Sequence, residues 1–277
     1  PGCLADVLDR TVTSMGARLL RRWLRRPLVD PGVIALRQDL VEACLKPDVR
    51  RQVRESLGGL GDLERAISRL NSGSASPRDM ASLKASLARV PAVAAALRQL
   101  AFGAAEVHVL HQEYLNALVD FQDLVDLLHR AIVDSPPATL REGGFIKPGY
   151  HPELDTLRNA STEGKQYLAH LETRERERTG IASLKVGYNN VYGYYLEVTK
   201  PNLPHVPPDY ERKQTLLNAE RFVTPELKER EALLLGAEER AARLEGELFQ
   251  DLRQTAVKRT AEIQGAARAL AAVDALQ

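Results

Sequence analysis

The strongest constraint on this chain is a long seven-residue repetition near its C-terminal end. Leu227, Leu234, Ala241 and Leu248 fall seven apart, and Ala237 and Leu244 fill the other seam positions. Such spacing keeps one apolar line of a helix facing a partner helix. Thr224-Pro225-Glu226 marks the start, with a capping hydroxyl, proline at the first helical position and an acid near the positive end of the helix dipole. Read from there to the end of the chain, the helix spans about 70 Å at about 1.5 Å per residue. The sequence also supplies a partner. After His151-Pro152, residues Leu154, Leu157, Ser161, Gly164, Leu168 and Leu171 alternate three and four apart. That helix closes in an alternating-charge run from Glu172 to Arg178, expected to be solvated and supported by the Glu172–Arg176 pair one turn apart, and Thr179-Gly180 stops it.

Between the two helices lies the one strong strand signal. Leu184, Val186 and Tyr188 alternate with polar or small residues, and after Asn190 to Gly193 the alternation returns at Tyr194, Leu196 and Val198, which reads as a hairpin. Pro201 to Pro208 reads as an extended loop, and Thr215–Leu217 with Arg221–Val223 as one further bent strand. Two long helices bracketing a small sheet give an antiparallel stalk carrying a compact β-tip.

The first half reads as shorter helices divided by turns. Val12, Met15, Leu19, Leu20, Trp23 and Leu24 recur at helical spacing between Asp9 and Arg26, and Pro27 ends the pattern. A second helix follows Asp30-Pro31, and a third spans Leu60 to Leu70. Residues 71–77 form a loop, and two longer helical segments follow, Arg78 to Leu100 and Glu106 to Val133. The expected fold class is therefore mainly α: a helical core over 1–150, an ascending helix over 151–180, a β-rich tip over 181–228 and a descending helix over 229–277. Aromatics make up only 5% of the 277 residues, which agrees with long helices rather than extensive sheet.

Charge and cysteine content narrow the function classes. The net charge is +1, so any anion-binding surface has to be a local patch. Two cysteines, Cys3 and Cys44, are too few for a disulfide framework or a thiolate zinc site and fit a reducing compartment. No uninterrupted apolar run reads as a membrane span, and no signal peptide opens the chain. The chain starts at Pro1 and stops at Gln277 inside a helical pattern, so it reads as a piece of a longer protein.

Candidate binding residues gather in the tip. Tyr188, Tyr192, Tyr194, Tyr195 and Tyr210 are interleaved with Lys185, Lys200, Arg212, Lys213, Arg221 and Lys228. Rings that stack and cations that neutralise phosphates suit nucleic acid. A small sheet also needs large side chains to build any core, and the tyrosines are assigned chiefly to that role. Arg18, Arg21, Arg22, Arg25 and Arg26 make a basic stripe beside Trp23, read first as a solvated face whose stems cover the core and otherwise as a surface for an acidic partner, another domain or nucleic acid. His108, His111 and Glu113 offer a weak metal-ligand pattern and are read as surface or half-buried residues. Gly58-Gly59-Leu60-Gly61 lacks the spacing of a dinucleotide fingerprint, and Gly164-Lys165 lacks the hydroxyl and upstream glycine of a P-loop. The sequence offers no catalytic constellation.

Four stretches, in order along the chain, resemble the MutS family: Val7 to Leu28 continuing to Arg37 and Val41-Glu42; Gly61 to Leu70 with Ser76 to Asp79; Glu172 to Gly180 with Leu184 to Asn189 and Gly193 to Tyr195; and Arg212 to Arg221 with Pro225 to Lys228. The resemblance covers essentially the whole chain. It implies the core and lever domain of a DNA mismatch-repair protein, with a clamp domain inserted at the lever tips from Leu184 to about Lys228. In that family two subunits close around duplex DNA, so the implied partners are double-stranded DNA, a second subunit and a MutL-type repair protein, in the cytoplasm and with no membrane. The phosphate contacts that the resemblance implies are Lys185, Arg212, Lys213, Asn218 and Arg221, with Lys200 and Lys228 beside them. The family's Phe-x-Glu mismatch reader has no counterpart here, since no phenylalanine is followed two residues later by glutamate. The ATPase domain that would hold ATP and Mg is not represented either, so the resemblance implies a non-enzymatic, sequence-independent clamp and lever module. A stalk-and-tip scaffold or chaperone holding protein is the alternative. Exposed apolar residues at the tip would favour that reading, and basic tip edges would favour DNA.

Overall fold

The computed structural model describes residues 2–100, 107–189 and 191–277. The chain is mainly α with one small antiparallel sheet, as its periodicities indicate. In the first half the helices are α1 (Leu4–Leu8), α2 (Ser14–Arg25), α3 (Pro31–Cys44), α4 (Pro47–Leu57), α5 (Leu63–Ser72), α6 (Pro77–Leu87), α7 (Val90–Arg98), α8 (Val107–Ala117) and α9 (Gln122–Ala131). Short polar side chains set their starts by accepting orphan N–H groups of the first turn. Thr13 accepts from Gly16, Asp30 from Gly32 and Val33, and Asp62 from Arg65. Ser76 and Asp79 close a reciprocal box around the start of α6.

Both long helical segments expected in this half are divided. Pro91 near the start of α7 lacks the N–H that a continuous helix would need, and the chain turns at Ala88 and Arg89. The second segment breaks between α8 and α9, where the Asp120 carboxylate accepts the Gln122 N–H at 2.8 Å. The beginning of that segment lies outside the described residues. The sequence from Pro77 to Arg98 is also long and apolar enough to cross a membrane by length and composition, contrary to the sequence reading. Its apolar residues Met80, Leu83, Leu87, Val90, Val93 and Leu97 are buried among neighbouring helices.

Beyond the first half come α10 (Pro152–Thr179), β1 (Lys185–Asn189), β2 (Gly193–Thr199), a 3-10 turn (Lys200–His205), β3 (Glu211–Thr215), β4 (Ala219–Val223), α11 (Pro225–Lys258) and α12 (Thr260–Leu276). The chain folds as two compact units, one of Pro1–Lys147 with Glu247–Gln277 and one of Pro148–Gly246.

In the first unit α12 is the central helix and packs against α2, α3, α5 and α8. Its buried face is mostly alanine, with Ile263 and Leu270 filling the wider gaps, and small side chains let neighbouring helices approach. The single helix expected from Thr224 to the end of the chain is therefore interrupted. Arg259 leaves helical geometry at φ −98° and ψ 18°; its guanidinium donates to the Asp120 carbonyl at 2.7 Å, binds Asp123 and Glu262, and lies over the Phe121 ring. Apolar spacing carries through this corner in a frame shifted by one residue, at buried Phe249, Ala256, Ile263 and Leu270, so it gives no sign of the break. At the far end of α12, buried Asp274 accepts the N–H groups of Val12 and Thr13 at 2.9 and 2.7 Å and the Thr13 hydroxyl at 2.6 Å. Gly16 leaves the room this requires, since a Cβ there would collide with the Asp274 carboxylate.

In the second unit α10 and α11 run antiparallel. Ion pairs Arg158–Glu245, Lys165–Glu238 and Arg174–Glu226, at 2.7, 2.8 and 3.1 Å, link positions that rise on one helix as they fall on the other. Gly164 lets Leu234 pack close, for a Cβ would lie 3.1 Å from a Leu234 methyl. The strand order is β1-β2-β4-β3, all antiparallel. A second hairpin thus stands where one bent strand is expected. β3 is an edge strand exposed along nearly its whole length, so it carries no apolar alternation to read. The inner face of the sheet buries Leu196, Val198 and Phe222 against Leu168, Leu171 and Leu227 of the two helices.

Replacing Asp274 by alanine should leave three donors at the start of α2 unsatisfied and destabilise the first unit by about 3 kcal/mol. Urea unfolding followed by fluorescence of Trp23, the single tryptophan, measures this. A change within about 0.5 kcal/mol, the size of an ordinary surface substitution, would refute the role given to Asp274.

Candidate nucleic-acid interface

The sheet is held by charged side chains of the helices on either side of it. On α10, the Glu172 carboxylate accepts the Val186 N–H of edge strand β1 at 3.0 Å, and Arg176 donates to the Leu184 carbonyl at 2.7 Å while pairing with Glu172. On α11, Glu231 accepts the Tyr194 N–H at 2.7 Å, and Lys228 donates to the Tyr192 carbonyl at 3.1 Å. Gly193 sits at φ 76° with no space for a Cβ beside the Glu231 carboxylate, so the hairpin requires glycine there on both counts.

The charged run from Glu172 to Arg178 is accordingly solvated only in part: Thr173, Arg174, Glu177 and Arg178 are exposed and the expected Glu172–Arg176 pair forms at 2.7 Å, but Glu172, Glu175 and Arg176 serve the sheet. Glu175 is only 4% exposed; it accepts the Tyr210 hydroxyl at 3.0 Å and Arg178 Nε at 2.8 Å. Glu172, Glu175 and Arg176 turn inward because they satisfy the polar groups that the docked sheet brings. Burial first, and then the bond to the Glu175 carboxylate, push the Tyr210 phenol well above the usual tyrosine range. Bonds to Asp209 and then Glu175 hold Arg178 more firmly protonated than a free guanidinium.

The outer face is organised by register. Lys185 stands opposite Glu197, Glu197 opposite Arg221, and Arg221 opposite Gln214. Arg221 donates to Glu197 at 3.0 Å and Gln214 at 2.9 Å, and its guanidinium lies 4.2 Å over the Tyr195 ring. That ring lies across Gly187, where a Cβ would come within 2.6 Å of it. Arg221 is thus a brace across three strands, 19% exposed, rather than an extended surface cation.

The remaining candidate residues fall in separate places. Arg212 and Lys213 project from edge strand β3 at a bulge and pair with Glu220 and Glu211 at 3.3 and 3.2 Å, both cations staying exposed. Lys228 lies at the β1–β2 loop end, engaged with Tyr192 and Glu231. At the opposite end, where Thr199 pairs with Ala219, exposed Lys200 and Asn218 are joined by a backbone bond of 3.1 Å. Lys185, also exposed, stands two rungs along from that end. Neither Lys185 nor Lys200 has an ion pair among the described residues. Beside them Asn202 donates to Ser183 at 2.8 Å and to Thr199 at 3.0 Å. These three short polar side chains are of a type that contacts phosphate and sugar; Thr199 and Asn202 flank Lys200 in the chain, a signal the sequence already held, whereas only the fold brings Ser183 beside them.

Of the tip tyrosines, Tyr210 is a core residue packed 5.8 Å from Phe222, as a small sheet needs, whereas Tyr188 and Tyr192 remain exposed. The histidine reading changes as well. His111 is buried rather than at the surface, with Nε2 2.9 Å from the Leu97 carbonyl; the side chain of His108 lies outside the described residues.

A family model described as MutS domain III matches residues 1–277. The chain belongs to the MutS domain III family. Its curated relatives include proteins named DNA mismatch repair protein MutS. Those of Methanothrix thermoacetophila and Symbiobacterium thermophilum are 50% and 51% identical over 276 residues, covering 99% of this chain and 32% and 31% of theirs. That of Geobacillus kaustophilus is 49% identical over 279 residues, covering 100% of this chain and 30% of its own. The chain spans about a third of the length of these MutS proteins.

The Tyr210–Glu175 bond gives this domain III chain a distinct alkaline response. A phenol whose pKa is raised by folding contributes stability that is complete below the ordinary tyrosine range and is lost as pH rises through and beyond it. The melting temperature of wild type relative to Tyr210→Phe should therefore fall between about pH 9 and about pH 11. Circular dichroism melts of both proteins across that range test this, and a pH-independent gap would show that Tyr210 is not held protonated.

Proposed function

We propose that the second unit grips double-stranded DNA by its sugar–phosphate backbone, without reading base sequence, as the clamp of a MutS-type mismatch-repair protein, with α10 and α11 as the levers that carry it. The observation that carries this reading is the sheet end at which Lys200, Asn218, Thr199, Ser183 and Asn202 converge, with Lys185 close by. Cations free of ion pairs and short hydrogen-bonding side chains are what a phosphate backbone requires, and such contacts position a protein without conveying sequence. The family match over the full chain supports the same reading.

The isolated chain should bind a matched duplex weakly, at about 10⁻⁴ to 10⁻⁶ M near physiological salt. Replacing both Lys185 and Lys200 by glutamine should weaken binding on every sequence and flatten the log–log salt slope by about 0.9 for each phosphate no longer neutralised. Arg221→Gln should instead act through stability, because its guanidinium braces the sheet. Titration of a fluorescent duplex over a range of salt separates these outcomes. An unchanged slope in the double variant, or a tenfold preference for a G·T mismatch, would exclude this reading.

In this reading the chain is not itself an enzyme. ATP and Mg belong to another part of the longer protein, as does the mismatch reader, and the partners of that protein are a second subunit and a MutL-type repair protein in the cytoplasm. The sequence has no phosphate-cradling loop. Calorimetry with ATP and Mg should accordingly give no binding, and micromolar affinity that survives further purification would overturn the assignment.

The scaffold alternative draws on exposed Leu217, at 86%, and on Val191, at 79%, with Tyr188 and Tyr192 beside it. Register places Leu217 at the opposite end of the sheet from the other three, so no apolar surface runs across the tip, and the group of three is small and interrupted by the engaged Lys228.

A further inference from the structure

The first unit carries a charged surface that clamp function leaves unused. Five arginines of α2 and its C-terminal cap, Arg18, Arg21, Arg22, Arg25 and Arg26, line one shallow cleft. Arg18 is fully engaged, donating to both carboxylate oxygens of Asp62 at 2.6 and 2.8 Å and to Glu64 at 2.7 Å. Arg21 reaches Asp9 at 3.4 Å. Arg22, Arg25 and Arg26 are exposed and have no ion pair among the described residues. Directly beyond them in the chain stands Val29, 93% exposed, and Leu24 on the helix is exposed as well.

We propose that this face of α2 docks an acidic segment of a partner protein that carries aliphatic side chains between its carboxylates. Three features favour such a partner over nucleic acid. The cations are all arginine, which is enriched at protein interfaces where lysine is depleted, and Arg18 on Asp62 shows the fork taking a carboxylate in this setting. Asp9, Asp62 and Glu64 border the free arginines, so a long phosphate backbone would meet like charge while a short acidic segment fits between. The exposed side chains Leu24 and Val29 are aliphatic, which suits a peptide, and the nearby Trp23 ring is half-buried with Arg37 stacked 3.8 Å over it, which leaves a base little to stack on.

The test uses the full 277-residue chain and three fluorescent probes: a twelve-residue peptide of alternating Glu and Leu, a twelve-residue poly-Glu peptide and a twelve-base-pair duplex. The Glu-Leu peptide should bind more tightly than poly-Glu. The triple variant Arg22→Gln, Arg25→Gln, Arg26→Gln should weaken the Glu-Leu peptide tenfold or more while leaving duplex affinity unchanged. The triple Arg→Lys variant, which keeps charge but loses the fork, should fall between the two; it also guards against misfolding as the cause, with circular dichroism required to match wild type. The proposal fails if the Glu-Leu peptide does not bind or binds the glutamine variant equally well. It fails too if duplex affinity drops by the same factor, which would make the cleft a nucleic-acid site. A change of oligomeric state in the glutamine variant by sedimentation would make it a contact between copies, and would equally overturn it.

Discussion

Two carboxylates, Glu172 on α10 and Glu231 on α11, hold the small sheet in place by accepting one N–H each from its first hairpin. Four short strands with a single apolar face are marginal by themselves, and an unpaired edge exposes polar backbone groups. Each carboxylate removes one such orphan, and charged acceptors make bonds worth about 1.5–3 kcal/mol. Because these acids come from helices packed against one another, the interhelical register sets where the strands begin. Glu175 extends the same arrangement by fixing Tyr210, through which the loop before β3 joins the core.

Pairing also distinguishes cations that support the sheet from cations that can serve a ligand. Arg221 is half-buried, stacked on Tyr195 and bonded to two strands, so withdrawing it would expose an uncompensated Glu197 and loosen three strands at once. Arg212 and Lys213 have partners too, but in solvent, where an ion pair contributes about 0–1 kcal/mol. Exchanging such a carboxylate for a phosphate costs little. Lys185 and Lys200 need no exchange at all. The expected contacts thus form a graded series set by burial and partner rather than by charge.

Much of this order is legible in the sequence, and the limits have physical causes. The helix pair and the first hairpin follow from spacing, because each buries one face, and prolines at the first helical positions, Pro152 and Pro225, mark where the helices start. The break at Arg259 does not, since both helices there continue an apolar pattern and the interruption is made by contacts with α9 more than a hundred residues away. β3 is invisible to alternation because it has no buried face. The run from Glu172 to Arg178 is solvated on one side only, and one-dimensional charge patterns cannot show that a strand N–H group and a tyrosine hydroxyl approach the other side from outside the helix. At the candidate interface, residue types named the cations, but only register shows that Lys200 and Asn218 meet while Lys228 lies at the other end.

With 38 basic and 37 acidic side chains, total charge gives almost no guide to what this chain attracts. The field outside a protein is set by charges whose partners do not cancel them locally, and it decays within about 8 Å at physiological salt. Arginines tied to carboxylates, such as Arg18 with Asp62 and Arg178 with Asp209, project little field and act as structural links. Among the described residues, the uncancelled cations include two groups in different surroundings: lysines among hydroxyl and amide groups at a sheet end, and arginines on a helix with exposed Val29 close behind in the chain. Both cations bind phosphate and carboxylate alike, so what separates the two surfaces is what stands beside them: hydroxyl and amide groups at the sheet end, and bordering carboxylates with an exposed aliphatic near the helix. A near-neutral chain can in this way hold two polyanion surfaces that discriminate by the groups around each cation, since the cations alone would not tell one polyanion from another.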